Sequence, residues 1–260
     1  MADLARMYRT VAQCTKAEQL KEHVLAVRKR LCGDEHSDTL SAMGYLAHTY
    51  RDHGRLREAA ELEENVVEAR LKLSEKEHPT TLAAMGNLGC TYHCAGRYED
   101  AAQLEERVLE ATIRLLGKEH PESVLAMVNL GCTFRELGRL DDAIVLLETA
   151  VERRKQLGGR EHPTTWWAQF NLCVTYLRQG ASTSTLEMLE ETRTGLEKAL
   201  GEGHPRTLSS MHSLGIAYRE LGMMEQSHEI LTNVVEARKR ILGESHPDTL
   251  ESVNELGIGL

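Results

Sequence analysis

The stretch that decides the fold runs His78-Pro79-Thr80-Thr81-Leu82-Ala83-Ala84-Met85-Gly86-Asn87-Leu88-Gly89-Cys90-Thr91-Tyr92, followed by Gly96-Arg97 and Asp100-Ala101. Its opening histidine returns at 36, 120, 162, 204 and 246, always 42 residues apart, and all five prolines of the chain follow one of these histidines. Only Ser37 breaks the dipeptide. Five consecutive steps without insertion or deletion mark a repeat protein.

Working outward, other positions keep the same period. An aromatic recurs at Tyr8, Tyr50, Tyr92, Phe134, Tyr176 and Tyr218, and a leucine at Leu4, Leu46, Leu88, Leu130, Leu172, Leu214 and Leu256. Glycine recurs at Gly54, Gly96, Gly138, Gly180 and Gly222, and alanine at Ala17, Ala59, Ala101 and Ala143. Six of the eleven aromatics therefore share one packing slot.

Each period reads as two helices. Leu82, Met85, Leu88, Gly89 and Tyr92 fall on one face of the first. Proline suits its first turn, where a missing N–H costs nothing, and Gly96 breaks it. The second carries Ala101, Leu104, Val108 and Leu115 as its apolar stripe, with Glu99, Glu105, Glu106 and Glu110 placed elsewhere, and ends at Gly117. One such pair cannot bury its apolar face alone, whereas stacked neighbours can, so the fold class is all-α, a solenoid of antiparallel helix pairs. The small residue beside the leucine (Ala47, Gly89, Gly131, Cys173, Gly215, Gly257) lets the two helices approach closely. The array is read as one domain over 1–260: a partial repeat 1–35, repeats 36–77, 78–119, 120–161, 162–203 and 204–245, and a partial repeat 246–260.

The spacing Met85-x-x-Leu88-Gly89-x-x-Tyr92 with Ala101 resembles the tetratricopeptide pattern, with Met85 in the tryptophan place and Glu105 where an aromatic is usual. The 42-residue form, with its HPxTL opening and Gly-Arg before an acidic-Ala pair, looks like the kinesin light chain type. That resemblance covers essentially the whole chain. It implies a right-handed superhelix whose first helices line a concave groove that grips peptide segments of partner proteins, including acidic or tryptophan-acidic ones. It implies an adaptor or scaffold. Similar arrays also look like the sensor segments of larger NTPase-type (NB-ARC/NACHT-like) receptors, and that alternative stays open.

Composition narrows the class. With 31 Lys+Arg against 40 Asp+Glu the net charge is -9, which opposes a nucleic-acid partner. No run approaches the ~18 apolar residues of a membrane span, and the N-terminus has no secretory core. Six scattered cysteines (14, 32, 90, 94, 132, 173) suit a reducing, cytoplasmic setting. Nothing matches GxxxxGK[ST], HExxH or GxSxG, so no enzyme activity and no cofactor are expected. Both termini fall inside first helices, which reads as part of a longer chain.

Several residues are candidates for the groove. Asn87, Asn129 and Asn171, one before the repeated leucine, share their position with Tyr45, Ser213 and Glu255. An amide can donate and accept along a peptide backbone, or can hydrogen-bond a neighbouring helix. Arg51, Arg135 and Arg219 share a position with His93 and Leu177 and suit carboxylates. Since Asp52, Glu136 and Glu220 directly follow them, an ion-paired solvated face is the competing reading. Trp166 takes a leucine slot and is expected in the core, while Trp167 and Phe170, three apart, are either an exposed anchor for a partner or local packing. Cys90-Thr91-Tyr92-His93-Cys94 lacks metal-ligand spacing and reads as small buried or groove-lining thiols, with no metal. The histidines before the prolines are expected to cap or pack the helix entrance. In the fourth full period Gly180-Ala181-Ser182-Thr183-Ser184-Thr185 replaces the Gly-Arg signature, and Ser184 with Glu187 forms a candidate capping box at a point where the array could bend.

Overall fold

A computed structural model describes residues 18–73 and 77–258. Leu4, Tyr8, Cys14, Ala17 and the last two residues lie outside that range. The described residues form helices and turns only. The helices are α1 (18–32), α2 (Ser37–Asp52), α3 (Leu56–Leu73), α4 (Pro79–Cys94), α5 (Tyr98–Leu116), α6 (Pro121–Glu136), α7 (Leu140–Gly158), α8 (Pro163–Gln179), α9 (Thr183–Leu200), α10 (Pro205–Glu220), α11 (Met224–Ile241) and α12 (Pro247–Ile258). They fall into two compact units, Met1–Thr133 and Phe134–Leu260. In the first, α2 packs on α3, α3 on α4 and α4 on α5. In the second, each helix from α7 to α11 packs on the next. Turns of a few residues join them, so neighbours run antiparallel.

The repeated sequence features have physical reasons. Each histidine is the N-cap of a first helix. Its Nδ1 accepts the backbone N–H two residues on, at 3.1–3.3 Å for His36, His78, His120, His162, His204 and His246. That satisfies one of the donors a helix start leaves open. An Nδ1 that accepts implies the neutral ring with its proton on Nε2, a tautomer assigned from this bond.

The Gly-Arg pair makes the turn between the two helices. Gly96 sits at φ 74, where a side chain would be strained. Arg97 then returns its N–H to Tyr92 O at 2.8 Å, lays its guanidinium over the Tyr92 ring at 3.9 Å, and donates from Nε to Asp100 at 2.7 Å. Arg55 and Arg139 repeat the arrangement over Tyr50 and Phe134, paired with Glu58 and Asp142. The periodic tyrosine has a second partner. Tyr50, Tyr92, Tyr176 and Tyr218 donate to Glu22, Glu64, Glu148 and Glu190, each 28 residues earlier, at 2.6–2.8 Å. Burial first, and then these carboxylates, push all four phenols up to about 12. In the irregular period Ser182, not Ser184, is the cap: its hydroxyl accepts from Thr185 N at 3.2 Å and α9 starts at Thr183. With no Arg or acid in that turn, a side-chain oxygen takes over helix initiation.

The core departs from the expected stripe in two columns. Glu105, expected on the outside, is 3% exposed, whereas Leu115 is exposed. The reason is the lattice. Leu147, Leu189 and Leu231 occupy the same place one, two and three repeats later and are fully buried. The helix geometry puts this column inside, whatever residue fills it. Glu63 precedes Glu105 in the column and is also 3% exposed. The small slot faces this column directly. A Cβ on Gly89 would lie 2.9 Å from Glu105 Cγ, and one on Gly215 would lie 2.6 Å from Leu231 Cγ.

Candidate functional site

In the first unit, α2 and α4 stand side by side with α3 behind them, and they enclose an open cavity of about 430 Å³. Tyr45, Arg51 and Asn87 line its walls, and Glu63, Val66 and Arg70 its floor. These floor residues lie at i, i+3 and i+7 on α3 and therefore share one helix face. Tyr45 is 70% exposed and Asn87 is exposed, so two adjacent first helices present an aromatic and an amide to solvent from one lattice position.

The three candidate asparagines are not equivalent. Asn129 is half-buried and its amide faces Cys90 Sγ at 3.5 Å. Asn171 is buried, and its amide donates to Trp167 O of its own helix at 2.8 Å. Of the three, only Asn87 is exposed.

The three arginines do something that neither sequence reading included. Each donates from Nη1 to a backbone carbonyl 36 residues on: Arg51 to Asn87 O at 3.3 Å, Arg135 to Asn171 O at 3.4 Å, Arg219 to Glu255 O at 3.1 Å. They tie one first helix to the next within their unit. Arg51 also donates to Thr91 Oγ1 at 3.1 Å, and His93, the lattice equivalent in the next repeat, contacts Thr133 Oγ1 at 3.0 Å. Arg135 pairs with Glu136 at 3.0 Å and Arg219 with Glu255 at 2.7 Å. The residue following the arginine is thus its ion partner only at Arg135. A neighbour 36 residues away cannot be read from adjacency in sequence.

The aromatics divide. Trp166 is in the core, 3% exposed, with Leu186, Leu189 and Leu196 of α9 in the same cluster. Phe170 is buried in that cluster too, so it is not half of an exposed pair. Trp167 is half-buried, stacks on Phe170 at 5.0 Å between centroids, and carries Arg206 over its ring at 4.8 Å. Burial lowers the Arg206 pKa.

Charge inside the first unit was the feature least visible in advance. Burial raises Glu63 above the usual carboxylate range; the Thr91 hydroxyl and Arg51 oppose this without cancelling it. Arg51 lies 3.8 Å from Glu63 Oε1, yet its guanidinium already serves Asn87 O and Thr91, so desolvation wins. Glu105 is pushed to about 7 by burial, against one hydroxyl bond from Thr133. Oε2 of both glutamates is buried without a hydrogen-bond partner. The sequence did hold a signal for them: a charge in a column that elsewhere reads leucine. Cys90 is likewise raised, to about 12, chiefly by burial, which opposes the thiolate a metal needs. Among the described residues no group of three or more His, Cys, Asp and Glu is placed to hold a metal ion.

Tetratricopeptide repeat family models match residues 81–122 and, separately, 1–72, 106–156 and 164–240. Among solved structures, a putative kinesin light chain of Podosopora anserina with nearly identical TPR-like repeats is 30% identical over 79% of this chain and 97% of its own, with a TM-score of 0.63. BtubC (BKLC) from P. vanneervenii shares the fold at 18% identity, with a TM-score of 0.64 over 92% of this chain and 93% of its own. The apo form of RapI shares it at 13% identity, with a TM-score of 0.68 over 90% of this chain and 80% of its own. No curated protein sequence matches significantly. Period, helix pairing and these matches agree: the chain belongs to the tetratricopeptide repeat family, in its 42-residue, kinesin light chain-like form.

Proposed function

We propose that this chain is a non-enzymatic protein-interaction module that grips an extended peptide segment of a partner in the groove between α2 and α4, serving as an adaptor or scaffold. The observation that carries this reading is the cavity of about 430 Å³ in the first unit, where Tyr45 and Asn87 stand unencumbered on successive first helices. An amide that both donates and accepts can bond a peptide backbone whatever its side chains. An exposed tyrosine adds contact area at little entropic cost. Asn129 and Asn171 belong to the same row, but their amides face Sγ and a backbone carbonyl, so the row contributes mainly through Asn87. Arg51, Arg135 and Arg219 contribute by holding first helices in register rather than by meeting the ligand. Of the aromatic pair, Trp167 is the part that could meet a partner in the second unit. No helix among the described residues is long and apolar enough to cross a membrane.

The experiment is capture of partners from lysate, followed by tiling each captured sequence as short synthetic peptides. Binding of the recognised peptide is then measured to the wild type and to a Tyr45→Ala, Asn87→Ala double variant of equal helicity. The reading expects the peptide affinity to fall at least tenfold. Unchanged affinity would remove the groove from the function.

A further inference from the structure

The floor of the cavity carries two polar groups that the fold leaves unsatisfied, and they have opposite character. Arg70 Nε is buried with no hydrogen-bond partner, and among the described residues no acidic side chain pairs with its guanidinium. The lattice shows that this is not the rule for its position. Arg28 and Arg238, one repeat earlier and four later, each donate to the carbonyl ten residues on: Asp38 O at 2.6 Å and Asp248 O at 2.7 Å. Among the described residues Arg70 makes no such bond to Thr80, and it lines the cavity instead. Glu63, 3% exposed, lines the same cavity with its Oε2 unpartnered. Leaving a buried polar atom unpaired is costly, so an occupant that pairs both has a built-in advantage.

Resting on the groove reading above, we propose that this cavity selects an extended peptide bearing an acidic and a basic side chain three residues apart, the acidic one on Arg70 and the basic one on Glu63. The spacing follows from the helix. Seven residues of α3 advance about 10 Å. An extended chain of polyproline type covers about 9 Å in three residues and returns its side chain to the same side. The chemistry follows from the donors. A guanidinium fork takes a carboxylate in bidentate fashion. A buried carboxyl that Arg51 only half serves gains the counter-charge it lacks when an ammonium enters. Val66 between them gives the intervening residues an apolar seat.

The test is selection of a phage-displayed random dodecapeptide library on the full chain, with the enriched peptides resynthesised and measured by fluorescence polarisation. The proposal expects enrichment of acidic-x-x-basic sequences. Affinity for them should drop tenfold or more in Arg70→Gln, in Glu63→Gln and in Asn87→Ala. Arg70→Glu should instead gain affinity for basic-x-x-basic peptides, a gain that misfolding cannot imitate. Peptides that need Tyr45 and Asn87 but show no charge pattern, and ignore Arg70→Gln, would overturn the charge pairing and leave the groove reading intact. No enriched peptide, or peptides indifferent to all these variants, would overturn both.

Discussion

Trp166 and Gly195 form a matched pair whose energetics can be worked out. In three other repeats the first-helix position holds leucine and the residue 29 later holds alanine: Leu40 with Ala69, Leu82 with Ala111, Leu208 with Ala237. Here a tryptophan faces a glycine. A Cβ added at Gly195 would lie 2.2, 2.5 and 2.6 Å from Trp166 Cε2, Cδ2 and Cζ2, over an ångström inside normal contact. The ring is rigid and 3% exposed, so it cannot swing away. Gly195→Ala should therefore gain the usual helix benefit of about 1 kcal/mol and set against it overpacking of about 1–3 kcal/mol. A net destabilisation of up to about 2 kcal/mol is expected. Trp166→Leu opens a void above Gly195 and should cost about 2–4 kcal/mol. The double variant restores the Leu/Ala pairing used elsewhere. It should be more stable than the sum of the singles by about 1–2 kcal/mol. Urea unfolding followed by far-UV circular dichroism measures all four proteins. Additive singles, or a Gly195→Ala protein more stable than wild type, would refute the steric argument.

Four further outcomes follow from the same geometry. Glu105 has a folded pKa of about 7 against an ordinary 4.5, so the folded chain holds the proton longer and stability falls as pH rises from about 4.5 to 7. Glu105→Gln should thus stabilise by about 3 kcal/mol at pH 8 and by almost nothing at pH 4, read by urea unfolding at both values. Gly215→Ala should cost about 1–3 kcal/mol, since its Cβ would meet Leu231 Cγ at 2.6 Å; a stabilised protein in thermal melts would contradict this. Arg219→Ala removes both the Glu255 carbonyl bond and the ion pair, and should raise amide exchange in α12 more than in α8. His78→Ala should lose about 1 kcal/mol through the missing cap while His78→Asn keeps most of it, as thermal unfolding would show.

Much of this was legible in the sequence because a repeat reports each position several times. A residue type that returns every 42 positions declares a slot, and slots such as the capping histidine, the turn glycine and the small residue beside the leucine have local causes. Their chemistry acts within one turn or one helix pair, which is within reach of pattern. Glu105 shows the edge of that reach. Read in its own helix it looked like a surface charge; read down the column of Leu147, Leu189 and Leu231 it belongs inside.

The groove was less legible, because accessibility depends on what the next repeat does. Asn87 and Asn171 share a lattice position, yet one is exposed and the other is buried with its amide on Trp167 O. Arg51, Arg135 and Arg219 read as ligand-binding cations or a paired surface; Arg135 does pair with the Glu136 beside it, but all three also tie to carbonyls 36 residues away, which adjacency does not reveal. Phe170 shared a helix face with Trp167 but went into the core. The amino-acid sequence by itself determined the period, the helix pairs, their histidine caps and glycine turns, and hence the family. Tertiary structure alone decided which polar groups found partners and which, like Glu63 Oε2 and Arg70 Nε, were buried without one. The physical reason is that periodicity fixes where a side chain starts, whereas hydrogen bonding and burial are settled by whatever the neighbouring helices bring to meet it.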